Sequence, residues 1–376
     1  PVPAPAQTPA QITPGDARME AYLPLLEGRT VGVVCNHTAV VDGVHLVDTL
    51  LSRGVHVTAA FAPEHGFRGR AAAGAHIENG VDPVSGIAIH SLYGRTKKPT
   101  PEMIAGLDLL LFDIQDVGAR FYTYLSTLHY VMESAAEHGI PLIVLDRPNP
   151  NGALTDGPML DTNFRSFVGM HPIPLAHGMT LGELAAMING EGWISAPCDL
   201  TVIDCSGWAR NDAWNLPIAP SPNLPNANSI ALYPSLCLFE ATVASIGRGT
   251  DRPFECVGHP DFKGEGVGDV AGYFTFTPRS CEAAPHPKHE GKLCNGLLLD
   301  APTAPELNLK WLVDFIASWG GEGFIDRPGF FDKLAGTDRL RIELEAGKPW
   351  PEIRAAWAPG LAEFKERRAP YLRYHE

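Results

Sequence analysis

The sequence lacks the features that would place it in a membrane or on a nucleic acid. Its 29 lysines and arginines are outnumbered by 43 aspartates and glutamates, which gives a formal net charge of −14. A chain this acidic is a poor candidate for binding phosphate backbones or anionic lipid without specificity. It contains no run of about 18 apolar residues, so no membrane span is predicted. An anionic ligand would therefore have to meet positive charge that is concentrated locally.

Several motifs that identify common enzyme classes are also missing. The segment 35–43, CNHTAVVDG, follows the first predicted strand without the glycines of a dinucleotide fingerprint. The glycines of 264–272 have no strand before them, so we discount that segment as well. There is no P-loop, no HExxH motif and no GxSxG nucleophile elbow, and the seven cysteines form no CxxC pair. We therefore expect no cofactor and no metal.

The start of the chain predicts a flexible leader over residues 1–20. The segment 1–15, PVPAPAQTPAQITPG, is rich in proline and alanine, as linkers behind a removed export signal often are. We therefore expect an exported protein, which is periplasmic, extracellular or lipid-anchored at the cell envelope. The alternative is a ragged or trimmed terminus.

Alternating strand and helix patterns predict an α/β fold from about residue 30 onward. Short apolar runs predict buried strands, and longer runs with helical spacing that end at a glycine predict helices. The predicted strands are 31–35, 55–61, 87–92, 107–114, 140–146 and 200–204, and the predicted helices among them are 45–54 and 121–139. This alternation is typical of a doubly wound, mainly parallel sheet.

A second, smaller α+β domain is predicted beyond the sheet. The segment 215–229 carries four prolines and four asparagines, which indicates a boundary. Strands are predicted at 272–278 and 296–300, and helices at 305–320 and 351–372. We therefore expect a catalytic domain over 21–225 and an auxiliary domain over 226–376.

Polar side chains follow four of the predicted strands. Because the carboxyl ends of parallel strands meet at one edge of a sheet, these side chains should converge on one pocket. They are Asn36, His37 and Thr38, then Glu64, His65 and Arg68, then Asp113, Gln115, Asp116 and Arg120, and finally Asp146, Arg147, Asn149 and Asn151. Few of them are tolerated inside a protein without partners, since an unpaired buried charge is very costly.

Carboxylates, amides and aromatic rings in one pocket favour chemistry on a sugar. Glycosidic cleavage needs a protonated acid at the leaving oxygen and a second group that attacks, activates water or stabilises positive charge. Glu64 is the best candidate for the acid, because it sits on a glycine-flanked loop after a buried strand. The alternative is that Glu64 pairs with Arg68 and only holds the loop in place.

The second group is open between two aspartates. Asp113 and Asp116 lie three residues apart, so at least one of them can face the ligand, while Asp116 has the alternative role of capping the helix that follows. Tyr122 and Tyr124 offer hydroxyls and ring faces, although core packing is the default for a tyrosine on a helix that buries one side.

Arginines supply the local positive charge. Arg68, Arg120, Arg147, Arg248 and Arg252 are candidates to bind a carboxylate with two hydrogen bonds each, which would fit an anionic substrate. The alternative for each is a surface charge or a structural ion pair. A metal site built from His37, His65, Asp113 and Asp116 is weakly supported, because these residues are scattered over three loops.

Long blocks of the sequence are similar to the exo-β-N-acetylmuramidases of glycoside hydrolase family 171, the NamZ type, long classed as a domain of unknown function. The likeness runs in register from about residue 28 to the C-terminus. The blocks include CNHTAVV, APEHGFRG, SLYG, LLLFDIQDVGARFYTYLSTL, IVLDRPNPNG, SFVGMHPIPLAHGMTLGELA, LYPSLCLFEATVASIGRGTDRPFE and FDKLAGTDRLR.

This resemblance implies a fold, a substrate and several roles. It implies a Rossmann-like N-terminal domain without a nucleotide and a smaller C-terminal domain that helps to close the cleft. It implies removal of β-1,4-linked N-acetylmuramic acid from the non-reducing end of peptidoglycan fragments. The family's active-site glutamate is Glu64 here, the FDIQDVGARFYTY motif over 112–124 lines the cleft, and the GRGT motif over 247–250 brings Arg248 to it. The lactyl carboxylate of the sugar would be the anionic group that the arginines bind.

One position departs from the family pattern, and other functions stay open. Where the family more often has threonine after NLP, this chain has Asn226, which we expect to alter the cleft edge and fine substrate preference. The alternative functions are a muropeptide-binding protein without turnover, which would not require Glu64, and an esterase or amidase, against which the absence of a nucleophile elbow counts.

Overall fold

The structure is a computed structural model that describes residues 11–68, 79–263, 266–268, 270–320 and 323–376. Half of the predicted leader, the last residue of the APEHGFRG block and part of the segment 264–272 lie outside these residues.

The described residues form strands and helices in alternation. The strands are β1 Thr30–Cys35, β2 Val40–Val41, β3 Val44–His45, β4 His56–Ala62, β5 Gly80–Val81, β6 Ala88–Ser91, β7 Leu109–Asp113, β8 Leu142–Leu145, β9 Thr155–Met159, β10 Pro174–His177, β11 Leu200–Ile203, β12 Cys256–His259, β13 Gly272–Phe276 and β14 Cys294–Leu298. The helices are α1 Met19–Leu26, α2 Leu46–Ser52, α3 Pro101–Ile104, α4 Tyr124–His138, α5 Leu181–Gly190, α6 Ala227–Leu236, α7 Lys310–Trp319, α8 Pro328–Ala335, α9 Arg339–Glu345, α10 Trp350–Ala355 and α11 Ala358–Arg368.

A seven-stranded sheet forms the centre of the molecule. Its order is β11-β8-β7-β1-β4-β6-β5, with every neighbouring pair parallel except β5 and β6. The prediction of a doubly wound, mainly parallel sheet is confirmed. Along the chain, β4 and then β6 are added on one side of β1, and β7, β8 and β11 are added on its other side. The direction of winding therefore reverses beside β1. The crevice outside the carboxyl ends of the strands at such a reversal is where open α/β sheets bind ligands.

Helix α4 shows how the local sequence positions this crevice. Its apolar residues repeat at helical spacing, and Leu125, Leu128 and Val131 are fully or almost fully buried. The helix ends at Gly139, whose φ of 66° is the left-handed conformation that favours glycine. The N-terminus of α4 therefore points its free backbone N–H groups towards the edge where the strand-end loops meet.

The C-terminal part of the chain adds a small antiparallel sheet and five helices among the described residues. The sheet has the order β12-β14-β13. Among the helices, α8 packs against the 3-10 helix Cys237–Ala241 and against α9, and α11 packs against β9. One hydrophobic cluster runs through both parts, from Phe112 in β7 to Phe315 in α7 and Phe331 in α8. The predicted boundary at 225/226 falls just before α6, and no break in the core marks it.

Residues 13–16, which fall within the predicted leader, contact the rest of the chain. Thr13 N donates to Ser206 O at 2.9 Å, and Asp16 forms an ion pair with Arg147 at 2.6 Å. These two contacts hold residues 13–16 on the end of the sheet. In the described part of the chain, no helix is long and apolar enough to cross a membrane.

Candidate active site

A cleft of about 720 Å³ opens at the carboxyl end of the large sheet. Its volume lies in the range of small-molecule sites. One wall comes from loops after β4, β6 and β7, and the other comes from the segment after α6, the loop 283–288 and the start of α8. The lining side chains are Glu64, Tyr93, Phe121, Thr123, Val168, Tyr233, Cys237, Glu240, Arg248, Ala283, Ala284, Pro285, His286, Pro287, Lys288, Arg327, Phe330 and Leu334.

Glu64 reaches this cleft from a tight turn at the end of β4. Gly66 N donates to Pro63 O at 3.0 Å, and His65 has a φ of 70°, a left-handed conformation that is uncommon for a residue with a side chain. Such backbone conformations cost about 1–3 kcal/mol and concentrate at functional sites. The turn places the half-buried Glu64 side chain on the cleft wall.

Two hydroxyl groups fix the carboxylate of Glu64. Thr123, the N-cap residue of α4, donates from Oγ1 to Glu64 Oε2 at 2.8 Å, so the carboxylate lies at the positive end of the helix. On the other side is Tyr93. Burial raises the pKa of the Tyr93 phenol, and the charge of Glu64 and a hydrogen bond with it add to the rise. A phenol held neutral in this way remains a proton donor to the carboxylate.

Tyr93 was not predicted as a site residue, although its signal is in the sequence. It follows β6 in the SLYG block, so the rule that selects residues after strand ends also selects it. An aromatic residue was passed over because that search favoured charged and amide side chains.

The facing wall carries a second carboxylate and a row of cations. Glu240 lies in a short 3-10 helix, Cys237–Ala241, and its Oε1 accepts from Arg248 Nε at 2.7 Å and from Arg248 Nη2 at 2.5 Å. The guanidinium carbon of Arg248 also lies 5.0 Å from the ring centre of Phe254, a cation–π contact. Among the described residues, neither Glu240 Oε2 nor Arg248 Nη1 has a hydrogen-bond partner, so both remain available to a ligand.

Lys288 holds this wall together. Its ammonium donates to the carbonyl oxygens of Glu240 at 3.0 Å and of Thr242, with those of Phe239 and Ala244 at 3.5 and 3.4 Å. Burial lowers the pKa of Lys288 to about 8, and the Glu240 carboxylate opposes that shift. Sequence reasoning missed both Glu240 and Lys288, because no strand precedes them. The one available signal was a charged residue inside the apolar run LCLFEATVA.

Several predicted binding residues lie beneath the cleft and hold its loops. Asn36 Nδ2 donates to Tyr124 Oη at 3.0 Å, and Tyr122 Oη donates to Pro220 O at 2.9 Å. His37 Nε2 lies 2.8 Å from Ala219 O, and Gln115 Nε2 donates to Asp116 O and Pro148 O at 2.8 and 2.9 Å. These contacts tie the segment 219–220 to the ends of the strands. His65, in the turn after Glu64, is buried.

The predicted arginines other than Arg248 are engaged away from the cleft lining. Arg68 binds the carboxylates of Asp48 and Asp82 at 3.1 and 2.7 Å, and Arg147 binds those of Asp113 and Asp16, both at 2.6 Å. Both arrangements are structural ion pairs, the alternative weighed for each residue.

Arg120 and Arg252 have other surroundings. Arg120 is fully buried and donates to four backbone carbonyl oxygens, those of Pro158, Ile173, Leu334 and Ala335, at 2.6 to 3.1 Å. Burial lowers the pKa of Arg120 to about 9. Arg252 is exposed and lies 3.4 Å from Glu255.

Asp113 and Asp116, the two candidates for the second catalytic group, are both buried outside the cleft lining. Asp116 Oδ2 accepts from Gly118 N at 2.7 Å, which closes a turn, and the helix that Asp116 was thought to cap begins later, at Tyr124. Of the twelve predicted site residues, Glu64 and Arg248 line the cleft. The functional roles assigned to the other ten stay predictions.

Buried Asp116 gives the protein a pH-dependent stability. Burial raises the pKa of Asp116 to about 7, although the Gly118 and Val117 N–H groups oppose the shift. The unfolded chain releases this proton near pH 4. The folded state therefore binds more protons between pH 4 and 7, so stability from this group is present below pH 4 and is lost as pH rises to 7. Neutral His177, 3.8 Å away, does not titrate in this window because burial lowers its pKa to about 3.

Asp116→Asn should remove this dependence. The quantity of interest is the free energy of unfolding of the variant minus that of the natural protein. We expect this difference to be about 2 kcal/mol more positive at pH 8 than at pH 5. Urea denaturation at both pH values measures the difference, and all other titrating groups are common to the two proteins. An equal difference at both pH values would show that Asp116 is already ionised at pH 5.

Asn226 is a helix cap. Its side chain accepts from Ser229 N at 2.9 Å at the start of α6, and its Nδ2 donates to Glu255 Oε1 at 2.5 Å. Threonine is also a good N-cap residue, so the departure from the family pattern exchanges one cap for another. The expectation that Asn226 alters the cleft edge does not agree with this position, since Asn226 is absent from the lining.

No group of three or more His, Cys, Asp or Glu side chains is placed to hold a metal ion in the ranges that the structure describes.

The strand order and the cleft at the reversal beside β1 define a Rossmann-like α/β protein with a ligand site at the carboxyl edge of its sheet. The chain belongs to the exo-β-N-acetylmuramidase NamZ family. The family's N-terminal model matches residues 31–228 and its C-terminal model matches residues 231–374. These two matches agree with the resemblance found in the sequence blocks.

Known relatives and solved structures agree with this membership. The chain is 40% identical to the peptidoglycan β-N-acetylmuramidase NamZ of Bacillus subtilis, over 98% of this chain and 92% of that protein. Crystal structures of two DUF1343 family proteins from Bacteroides fragilis have the same fold. One has a TM-score of 0.87 at 42% identity and covers 98% of this chain and all of that one. The other has a TM-score of 0.85 at 30% identity and covers 96% and 99%.

Proposed function

We propose that this protein is an exo-β-N-acetylmuramidase. It hydrolyses the β-1,4 bond of N-acetylmuramic acid at the non-reducing end of peptidoglycan fragments, with Glu64 as the general acid. The observation that carries the proposal is that Glu64 lines a cleft whose facing wall presents Arg248, Lys288 and Arg327, in a chain with a net charge of −14. Membership of the NamZ family supports it.

The contacts of Glu64 orient its carboxyl group for proton transfer. In its protonated form the carboxyl group gives its proton to the glycosidic oxygen while the bond from that oxygen to the anomeric carbon breaks. Water then adds to the anomeric carbon, which completes the free sugar, and its surplus proton passes to the solvent, from which the Glu64 carboxylate is protonated again. Thr123 and Tyr93 hold the carboxyl group in one orientation, which confines the proton to one side of the sugar ring.

The cations of the facing wall fit the lactyl carboxylate of N-acetylmuramic acid. Lys288 is used by backbone carbonyls, and Arg327 donates from Nη2 to the carbonyl oxygen of Glu240 while it remains exposed at the cleft. Arg248 Nη1 has no partner among the described residues. A guanidinium group binds a carboxylate through parallel hydrogen bonds, so Arg248 and Arg327 are the groups proposed to select the acidic sugar.

Release of free sugar from two disaccharides tests the function. N-acetylmuramyl-β-1,4-N-acetylglucosamine should release N-acetylmuramic acid, while di-N-acetylglucosamine, which has no lactyl group, should be turned over at least about 100-fold more slowly. Equal turnover of the two disaccharides would contradict the proposal that the cationic wall recognises the lactyl carboxylate. Binding of the first disaccharide without release would favour a muropeptide-binding protein instead.

We also propose that the protein works outside the cytoplasm, because its proposed substrate is cell-wall material. Fractionation of the producing bacterium and detection with an antibody would test this. Recovery only with the cytoplasmic fraction would contradict it.

A further inference from the structure

We propose a second binding surface beside the cleft, which holds the part of the glycan chain that stays behind when the terminal sugar is removed. It consists of three rings, those of Tyr93, Phe167 and Tyr130, which we name the aromatic shelf, and of three cations, Arg95, Lys97 and Arg165, which we name the basic rim. The proposal rests on the proposed function of the cleft.

The aromatic shelf leads away from Glu64. Tyr93 lies against Glu64 and lines the cleft. The ring centre of Phe167 is 6.1 Å from that of Tyr93, and the ring of Tyr130 stacks on Phe167 at 6.3 Å with an interplanar angle of 17°. Phe167 is held at the tip of a tight turn, in which Ser166 and Gly169 exchange two backbone hydrogen bonds at 2.9 and 3.0 Å. The next residue, Val168, is itself part of the cleft lining.

The basic rim adjoins this row of rings, through a contact for Lys97 and through chain proximity for Arg95 and Arg165. Lys97 Nζ lies 4.8 Å from the ring centre of Phe167, while Arg95 and Arg165 lie two residues from Tyr93 and Phe167 in the chain and are exposed. None of the three has a carboxylate partner within the described residues. The neighbouring Lys98, by contrast, pairs with Glu133 and Glu137 at 3.0 and 2.6 Å. Three uncompensated cations beside one another are unexpected on a chain with a net charge of −14.

The chemistry of the shelf and rim fits a peptidoglycan strand. The ring faces of β-linked sugars expose C–H groups that pack on aromatic side chains, and every second sugar of the strand carries a carboxyl substituent that attracts cations. Because the shelf is continuous with the cleft at Tyr93 and Val168, a strand with its terminal sugar beside Glu64 has its next sugars on the shelf. The structure thus assigns to this surface the reducing-side portion of an anionic glycan.

Binding to a Glu64→Gln variant tests the surface without turnover. Isothermal titration calorimetry compares a peptide-free disaccharide, N-acetylmuramyl-N-acetylglucosamine, with the tetrasaccharide made of two such units. We expect the tetrasaccharide to bind about tenfold more tightly at low salt, and this advantage should shrink in about 0.5 M salt, where charges are screened.

Variants of the shelf and rim should reduce that advantage. Adding Phe167→Ala, or the triple change Arg95→Gln, Lys97→Gln and Arg165→Gln, should weaken tetrasaccharide binding by about fivefold and disaccharide binding by less. Arg53→Gln, an exposed arginine in the loop before β4, at the amino end of the sheet, is the matched control and should change neither affinity. The proposal would be overturned if the added changes weakened binding of the tetrasaccharide and of the disaccharide equally. It would also be overturned if the Glu64→Gln protein bound the two saccharides with equal affinity.

Two further outcomes distinguish this proposal from related explanations. A poly-glutamate peptide that binds the parent variant as tightly as the tetrasaccharide, and loses affinity in the triple variant, would show a general polyanion surface and would overturn the glycan assignment. Tetrasaccharide preference in the Glu64→Gln variant together with no turnover by the natural protein would uphold the shelf and reject the proposed enzyme activity.

Discussion

Glu64→Gln is expected to lower kcat for N-acetylmuramyl-N-acetylglucosamine by about 10³-fold, within the range for loss of a general acid. Glutamine preserves the shape of the side chain and its acceptor for the Thr123 hydroxyl, but it has no proton to give to the leaving sugar. Initial rates of sugar release measure the effect.

The leaving group provides the control for this variant. A 4-nitrophenyl glycoside of N-acetylmuramic acid releases a phenolate that needs no protonation, so the same variant should lose only about tenfold on that substrate. Glu352→Gln, the same change at an exposed residue of α10, should leave both rates unchanged. Losses of equal size on the two substrates would mean that Glu64 binds or positions the sugar and does not protonate it.

Arg120→Met is expected to lower the free energy of unfolding by about 3–5 kcal/mol. Methionine fills much of the same space, but it leaves four carbonyl oxygens without the donors that Arg120 supplies. Burial lowers the pKa of Arg120 to about 9, which is still above neutral pH, so the guanidinium stays charged and supplies these hydrogen bonds. Denaturation by urea, followed by tryptophan fluorescence, measures the loss.

A surface arginine is the matched control for this stability change. Arg339, with 65% of its side chain exposed, pairs with Glu343 at 3.0 Å, and Arg339→Met should change the free energy of unfolding by less than about 0.5 kcal/mol. A loss below about 1 kcal/mol for Arg120→Met would show that water replaces the guanidinium as the donor.

Most of the large sheet could be predicted because its inner strands β1, β7 and β8 are buried on both faces and form continuous apolar runs. The run LDLLLFDI gave β7, and the runs at 31–35, 140–146 and 200–204 gave β1, β8 and β11 within two residues. Elements without such runs were missed. The ribbon of β9 and β10 reads TDGPM and PLAH, which has neither a continuous apolar run nor an alternating pattern, and its pairing comes from packing against α11 and the loop after β7.

The cleft was only half predictable for a different reason. The rule for strand ends gives the edge at which a residue lies, but it does not give the direction of its side chain. Glu64 and Asp113 both follow strands, yet Glu64 turns to the cleft while Asp113 turns inward to Arg147. The second wall was out of reach because Glu240 and Lys288 come from irregular segments that tertiary packing brings to the sheet.

Tyr374 and His375 connect the C-terminal helices to the large sheet. Tyr374 Oη donates to Asp146 Oδ2 at 2.6 Å, and the backbone N–H of Arg210 donates to His375 O at 2.8 Å. Asp146 directly follows β8, the strand next to the edge strand β11, and is fully buried. Asp146 also accepts from Thr180 Oγ1 at 2.6 Å and from Gly182 N at 2.8 Å, so residues far apart in the chain share one buried carboxylate. Loss of the Tyr374 hydroxyl therefore removes one donor from this carboxylate and disturbs the carboxyl end of β8, far from Tyr374 in the sequence.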